Sequence, residues 1–501
     1  MSGTSKGPRA RSGGRPRVAV VGAGFAGLAA AIDLARGGAA VTLLERAPEV
    51  GGKAGEWRAG GFRFDVGPSV FTLPDVVESI FRDAGRERPF DLAPLSPICR
   101  YVFPSGRVWD VYRELEPTLA GLDADEQRAY RRALDVARRL YEDAAPTFVR
   151  GPAPGLLRLA AYGVRAGWRA QPGRRLPELL ASLGVRGDLL PFFLRFATYF
   201  GGDPYRAPAV LHNIAWVELG LGVTLPVGGV HGVVRALRGL AEELGVEVRT
   251  GAEVERLVER AGRVSGVVVA DGELEVDAVV AAVDRRWALQ LLGRPAPVRR
   301  FPSLSGTVAL LGVRGETPEL APHNVFFPPD YAREFDDLRA GRHPSDPTLY
   351  LHASSKGDPD DAPAGHENWF VMANAPALPP GDDRGAPGRP PGRVDDERAA
   401  ADAAAARRLR STLAARGLDP AGRTVVERDL GPADLSRMGD RGAIYGPMPQ
   451  GLLSTLRPGP ATHGVANLWL AGGTVHPGGG IPLALLSGRY AAADLLRRIA
   501  R

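Results

Sequence analysis

The sequence predicts an α/β fold on three observations: a strand–glycine turn–helix–strand unit near its start, alternating strand and helix signals over 225–290, and a second glycine turn feeding a helix near its end. In the first unit the apolar run 18–21 leads into Gly22-Ala23-Gly24-Phe25-Ala26-Gly27-Leu28, a helix-compatible stretch follows to 36, and a second apolar run, 41–44, ends on Glu45. Each residue type answers a physical need. Gly22 allows a tight turn, Gly24 lets backbone approach a pyrophosphate, and Gly27 lets helix and strand pack closely. The helix N-terminus offers free N–H groups and a positive dipole end to phosphates. Glu45 can accept hydrogen bonds from an adenosine ribose. A Rossmann-type dinucleotide site follows.

Next come Gly51-Gly52-Lys53-Ala54-Gly55 and Phe64-Asp65-Val66-Gly67-Pro68-Ser69. Their glycines let backbone crowd a ligand, and Lys53 can pair with a phosphate or flavin oxygen; each stretch alone also reads as an ordinary turn. From 75 to about 220 the pattern is helical, as in 123–140 and 176–200. α/β signals return with a helix at 233–244, a strand at 246–249, a hairpin-like pair around Asp271-Gly272, and a strand at 278–283. Runs 307–313, 324–327, 348–352 and 369–372 read as strands. Segment 376–396, dense in Pro, Gly and charge, reads as a loop, and 397–416 as a helix. Residues 468–470 form a buried strand, 472–482 a turn holding five glycines and two prolines, and 483–497 a helix. Such a turn before a helix N-terminus suits the electron-rich edge of a flavin. The expected organisation is a basic disordered tail (1–16), a discontinuous nucleotide domain (17–74, 225–300, 425–501), and a substrate domain (75–224, 301–424).

Bulk composition excludes several classes. With 63 Lys plus Arg against 57 Asp plus Glu, the net charge of +6 is modest, and no zinc spacing or aromatic-rich basic module marks a nucleic-acid binder. Cys99 is the only cysteine, so no intrachain disulfide forms and a reducing, cytoplasmic setting is expected, with Cys99 buried and inert. No apolar run is long enough for a spanning helix. Residues 150–175, however, carry Arg150, Arg158, Arg165, Arg169, Arg174 and Arg175, no acid, and interleaved Leu156, Leu157, Leu159, Tyr162, Val164 and Trp168. That pattern fits an interfacial membrane segment; it also fits arginine stems on a solvated helix.

Taken together, VAVVGAGFAGLAAAIDLA with LLER (43–46), GGKAG, FDVGPS, RFATYFGGDPYRAPA (195–209), PVGGVHGVVRAL (226–237) and LAGGTVHPGGGIPLALLSGRYAA (470–492) resemble the bacterial phytoene desaturase family of carotenoid desaturases, within the flavin-containing amine oxidase superfamily. The similarity spans nearly the whole chain, and the 195–209 and 470–492 motifs look most like the hydroxycarotenoid 3,4-desaturase branch. The resemblance implies a glutathione-reductase-like FAD-binding domain, an inserted α+β substrate domain and a helical membrane-facing region. It implies FAD held at Gly22, Gly24, Phe25, Ala26, Gly27, Glu45, Arg46, Gly52, Lys53, Pro68, Ser69, Val254, Gly473, Thr474, Gly480, Ile481 and Pro482, with no metal. Where superfamily members carry an Asp after the last strand, this chain has Gly473-Thr474, so a backbone contact has to replace the acid. The implied reaction removes a hydride and a proton from a saturated bond beside a polyene, on a lipophilic carotenoid delivered from a membrane surface. His476 can serve as the base or can orient the turn; Tyr199, Asp203 and Glu218 read mainly as structural polar residues. A phytoene desaturase, a carotenoid isomerase, a flavin amine oxidase and a non-redox prenyl-lipid escort are the alternatives.

Overall fold

The structure is a computed structural model that describes residues 14–296, 301–380, 396–449, 455–461 and 464–499. The tail expected at 1–16 and the loop expected at 376–396 lie mostly outside these residues. Five parallel strands form the first sheet, in the order Leu468–Leu470, Ala278–Ala281, Arg17–Val21, Ala40–Leu44, Glu247–Arg249. Strand order reverses beside Arg17–Val21, and ligands bind at such a switch point, outside the carboxyl ends of the strands. The side-chain period of two splits the sheet's apolar residues between its faces. Val18, Val20, Leu43 and Val280 pack with the helices Phe25–Arg36, Gly229–Glu243 and Ile481–Ile499. Ala19, Val21, Leu44 and Val279 face the antiparallel strands Arg256–Arg260, Arg263–Val269 and Gly272–Glu275. The last helix lies close on the first because Gly488 has no side chain: a Cβ there would stand 2.0 Å from the Ala26 carbonyl oxygen.

The second sheet has seven strands, in the order Thr424–Leu430, Ser305–Arg314, His366–Ala375, Leu349–His352, His323–Phe326, Cys99–Val102, Val108–Val111. Three differences from the sequence reading follow. The stretch 75–220 is not purely helical: it supplies Cys99–Val102 and Val108–Val111, and the first of these pairs in parallel with His323–Phe326. The nucleotide segment expected from 425 begins with a strand, Thr424–Leu430, that instead pairs antiparallel with Ser305–Arg314. Helix Pro74–Asp83, assigned to the substrate domain, sends Val76, Val77, Ile80 and Phe81 into the nucleotide core. The long helix Ala124–Phe148 starts at a capping box, Asp123 accepting N–H bonds from Asp125 and Glu126 while Glu126 accepts from Asp123 N. Arg63, buried, joins the two halves: its guanidinium donates to both oxygens of Asp361 at 2.5 Å. Among the described residues no helix is long and apolar enough to cross a membrane.

Candidate functional site

The glycine motifs, far apart in sequence, meet at the carboxyl end of the first sheet. Gly22 adopts φ +96°, and a Cβ on Gly27 would lie 1.8 Å from the Gly22 carbonyl oxygen, so both are required by the protein's own packing. Gly24 differs. Its Cβ would meet nothing nearer than the Gly51 oxygen at 3.7 Å, which leaves room for a ligand at the helix N-terminus. Gly51 and Gly52 lie beside Gly24, with Gly51 N donating to Ala23 O at 2.9 Å. The motif ending in Ser69 crosses beneath them, where a Gly67 Cβ would stand 1.8 Å from Lys53 O. Glu45 is buried; it accepts from Ala23 N (2.8 Å) and Ala47 N (3.0 Å), so it braces the glycine turn from below while keeping lone pairs for a ribose. Val254 is buried close by, since Ala252 N donates to the Glu45 carbonyl at 2.8 Å. The Arg46 guanidinium stacks 5.3 Å from the Trp287 ring. Lys53 Nζ donates to Ile444 O at 2.5 Å and so fastens its turn to the segment after the second sheet.

At the second turn, Gly472 and Gly480 adopt φ +109° and +104°, and a Cβ on either would meet nothing within 4 Å. Gly480 stands directly before the 19-residue helix Ile481–Ile499. Gly473 packs against Gly479, and Thr474 Oγ1 accepts from Arg285 N at 3.0 Å. Two helix N-termini with open space and free first-turn N–H groups therefore face the switch point. That cradle fits a flavin dinucleotide.

Beside the cradle opens a cavity of about 910 Å³. Pro68, Ser69, Gly480, Ile481 and Pro482 line one part of it, and Leu159, Tyr162, Gly163 and Trp168 another. Most of the remaining wall is apolar or aromatic, including Phe148, Phe200, Phe370 and Met372. Among the polar residues on it, two hydrogen-bonded groups stand out. In the first, buried Arg195 donates to Glu218 Oε1 (2.7 Å) and Tyr101 OH (2.5 Å), both buried, and to the half-buried Tyr199 OH (2.6 Å). In the second, Tyr350 OH stands between Ser69 Oγ (2.7 Å) and His323 Nδ1 (2.6 Å). Burial, reinforced by His352 stacked at 4.3 Å, holds the His323 pKa well below the ordinary histidine value, so this ring is neutral.

His476 is not among the cavity-lining residues. Its Nε2 donates to Gly151 O at 2.9 Å, burial lowers its pKa, and its ring packs near Tyr490. This contact ties the turn to the segment around Gly151. Asp203 also turns away, into ion pairs with Arg206 and Arg339. Cys99 is buried, which pushes its thiol pKa up to about 12, so no reactive thiolate forms. Tyr350 and His323 were not singled out in the sequence. Their link is made by antiparallel pairing of His323–Phe326 with Leu349–His352, which no local spacing encodes.

Comparison with known proteins agrees with this geometry. Residues 25–319 match the family described as flavin containing amine oxidoreductase. The chain is 36% identical to the hydroxyneurosporene desaturase of Cereibacter sphaeroides, covering 97% of this chain and 98% of the relative. It is 30% identical to the 1-hydroxycarotenoid 3,4-desaturase of a Flavobacterium species, covering 95% and 98%. Among solved structures, cyclohexylamine oxidase from Brevibacterium oxydans shares the fold, with a TM-score of 0.61, 16% identity, and coverage of 97% and 100%. The protein is therefore an FAD-dependent oxidoreductase, and the cradle is the part of the structure with room and free N–H groups for that cofactor. The chain belongs to the flavin-containing amine oxidoreductase family and, within it, to the carotenoid desaturases.

Proposed function

We propose that this protein desaturates a carotenoid, most closely in the manner of a 1-hydroxycarotenoid 3,4-desaturase, drawing its substrate from a membrane surface. One observation carries the reading. A largely apolar cavity of about 910 Å³ joins the flavin cradle to a segment whose Leu156, Leu157, Val164 and Trp168 are 85%, 88%, 87% and 69% exposed. Exposed apolar side chains beside arginines match an interfacial anchor, and a polyene dissolved in lipid needs a dry path to the reacting centre. FAD bound in the cradle supplies the hydride acceptor.

The chain's own residues do the rest. The cavity wall excludes water and fixes which carbon faces the cradle. Loss of hydride beside a conjugated polyene leaves a delocalised cation, so a weak base suffices for the neighbouring proton. The Ser69–Tyr350–His323 chain leads from the wall to a neutral imidazole that can take that proton at Nδ1. An amine substrate fits less well. Glu218 is the only carboxylate on the wall among the described residues, and it is already paired with Arg195, whose charge repels an ammonium.

Expression in a carotenoid-accumulating host, with pigments analysed by mass, tests the reading. Desaturation yields pigments lighter by two hydrogens per new double bond. Pigments of unchanged mass but altered geometry would mean an isomerase, and unchanged pigments from flavin-loaded protein would end the proposal. Tyr350→Phe should slow turnover roughly a hundredfold or more, the scale of a lost proton-transfer group. His476→Ala should retain turnover per bound flavin.

A further inference from the structure

A second, smaller cavity, of about 200 Å³, lies behind one wall of the large one. The partition is the helix Asn213–Leu219. Ile214, Val217 and Glu218 line the large cavity, whereas Trp216 and Leu219, with Gly220 after them, line the small one. Residues three and four apart share a helix face, so each set belongs to its own side. None of the residues around the small cavity also lines the large one.

The floor of the small cavity is Tyr130, only 1% exposed. Its ring is fixed against Trp109, Phe192 and Phe193, with centroids 5.9, 6.1 and 5.5 Å away. The Tyr130 hydroxyl has no hydrogen-bond partner among the described residues, yet unlike Glu218 Oε2 it is not sealed in, and the small cavity is the space this side chain lines. A buried hydroxyl without a partner is uncommon and calls for one. Burial raises its pKa, so the proton stays on and is free to be donated.

At the rim stands Arg113, exposed, with its stem packed against Gly222. Its guanidinium enters no hydrogen bond or ion pair among the described residues, and the hydroxyl of its half-buried neighbour Tyr112 is also unpartnered. No acid lines the space; Leu115, Leu134, Leu219 and the Trp216 indole complete it. One cation and two hydroxyls therefore surround an apolar slot. A dry cavity of about 150 Å³ takes up benzene, so this one holds a single substituted ring. A hydrocarbon would leave Arg113 and Tyr130 unanswered, and a cation would be repelled.

We propose that this compartment is a ligand site for a small aromatic carboxylate, with its anion on Arg113 and Tyr112, its ring against Trp216, and an oxygen para to the carboxylate meeting Tyr130. The site stands apart from the desaturase reading, because it touches neither the flavin cradle nor the large cavity.

The test is calorimetric titration of FAD-loaded full-length protein with 4-hydroxybenzoate, benzoate and 4-hydroxybenzamide. Wild type should bind 4-hydroxybenzoate at one saturable site, benzoate several-fold more weakly, and the uncharged amide at least tenfold more weakly, the scale of a charge-assisted hydrogen bond. Arg113→Gln, at an exposed position, should fold normally and lose at least tenfold in affinity for both carboxylates while binding the amide as before. Tyr130→Phe should weaken 4-hydroxybenzoate and leave benzoate unchanged; if that buried variant misfolds, Arg113→Gln decides the matter. Wild type that shows no saturable binding overturns the proposal. So does an affinity that Arg113→Gln leaves unchanged, which would place the anion elsewhere, for instance beside Arg195 in the large cavity.

Discussion

At the residue scale, the glycines of the first motif divide by what crowds them. A Cβ on Gly27 would collide with backbone at 1.8 Å, and the helix–strand contact there cannot yield without repacking the sheet. Gly24, at φ −77° and ψ −177°, has an ordinary backbone conformation and open space around it. Gly24→Ala should therefore fold with nearly unchanged melting temperature and yet purify with little visible flavin absorbance, because the added methyl occupies the approach of the pyrophosphate. Gly27→Ala should lose stability itself, by about 3 kcal/mol or more, as overpacking does. If Gly24→Ala retains full flavin, the dinucleotide does not sit where this turn places it. The distinction was legible in the sequence, since the three glycine roles are local. The Arg195–Glu218–Tyr199 cluster was not: Tyr199 and Glu218 read in the sequence mainly as structural polar residues, and a tertiary contact gives them a shared cation.

At the element scale, the helix Leu156–Tyr162 and the π-helical turn Gly163–Gly167 invert the usual pattern, turning apolar side chains outward. The arginines around them are less free than a run without acids implies. Arg150 pairs with Asp75, Arg169 with Asp143 at 3.2 Å, and Arg165 donates to the Asp143 carbonyl at 3.1 Å. Magnitudes then favour apolar insertion as the main driving force. Each fully buried large side chain contributes roughly 1.5–3 kcal/mol, against about 1 kcal/mol per arginine near an anionic surface. Flotation with liposomes should thus persist on zwitterionic vesicles and fall sharply when Leu156, Leu157, Val164 and Trp168 are changed to Ser. Charge reversal at Arg158 and Arg165 should weaken only the anionic-lipid increment. Wild type that never floats, or a quadruple variant that floats as well as wild type, would refute the anchor. The same region shows why short strands escaped the sequence reading. Cys99–Val102 and Val108–Val111 are four residues each, and Cys99–Val102 finds a partner more than 200 residues away.

Across the whole molecule, long-range pairing decides which segments belong together, and the sequence marks this only where glycine turns repeat. The strand Thr424–Leu430 joins the seven-stranded sheet through register with Ser305–Arg314, and its own composition does not announce that choice. The completed interior buries several histidines in neutral form. Desolvation lowers His212 and His352 to about 4, and His323 and His476 move the same way. In the unfolded chain these rings titrate near the ordinary value of about 6.5. The unfolded state therefore binds more protons as pH falls below that value, and stability, intact above it, is lost progressively towards pH 4. For His212 and His352 the loss between pH 7 and pH 5 amounts to about 2 kcal/mol each by this linkage. Buried carboxylates oppose the trend: burial raises Glu334 and Asp361, which favours the folded state once they protonate. As pH falls through their raised folded-state values these two groups offset part of the loss from the four histidines. Melting temperature should fall from pH 7 to pH 5, and the double variant His212→Gln, His352→Gln should flatten that slope by up to two protons while lowering stability at neutral pH. A slope unchanged in the double variant would mean that these rings already carry protons in the folded protein, or that other groups govern its acid sensitivity.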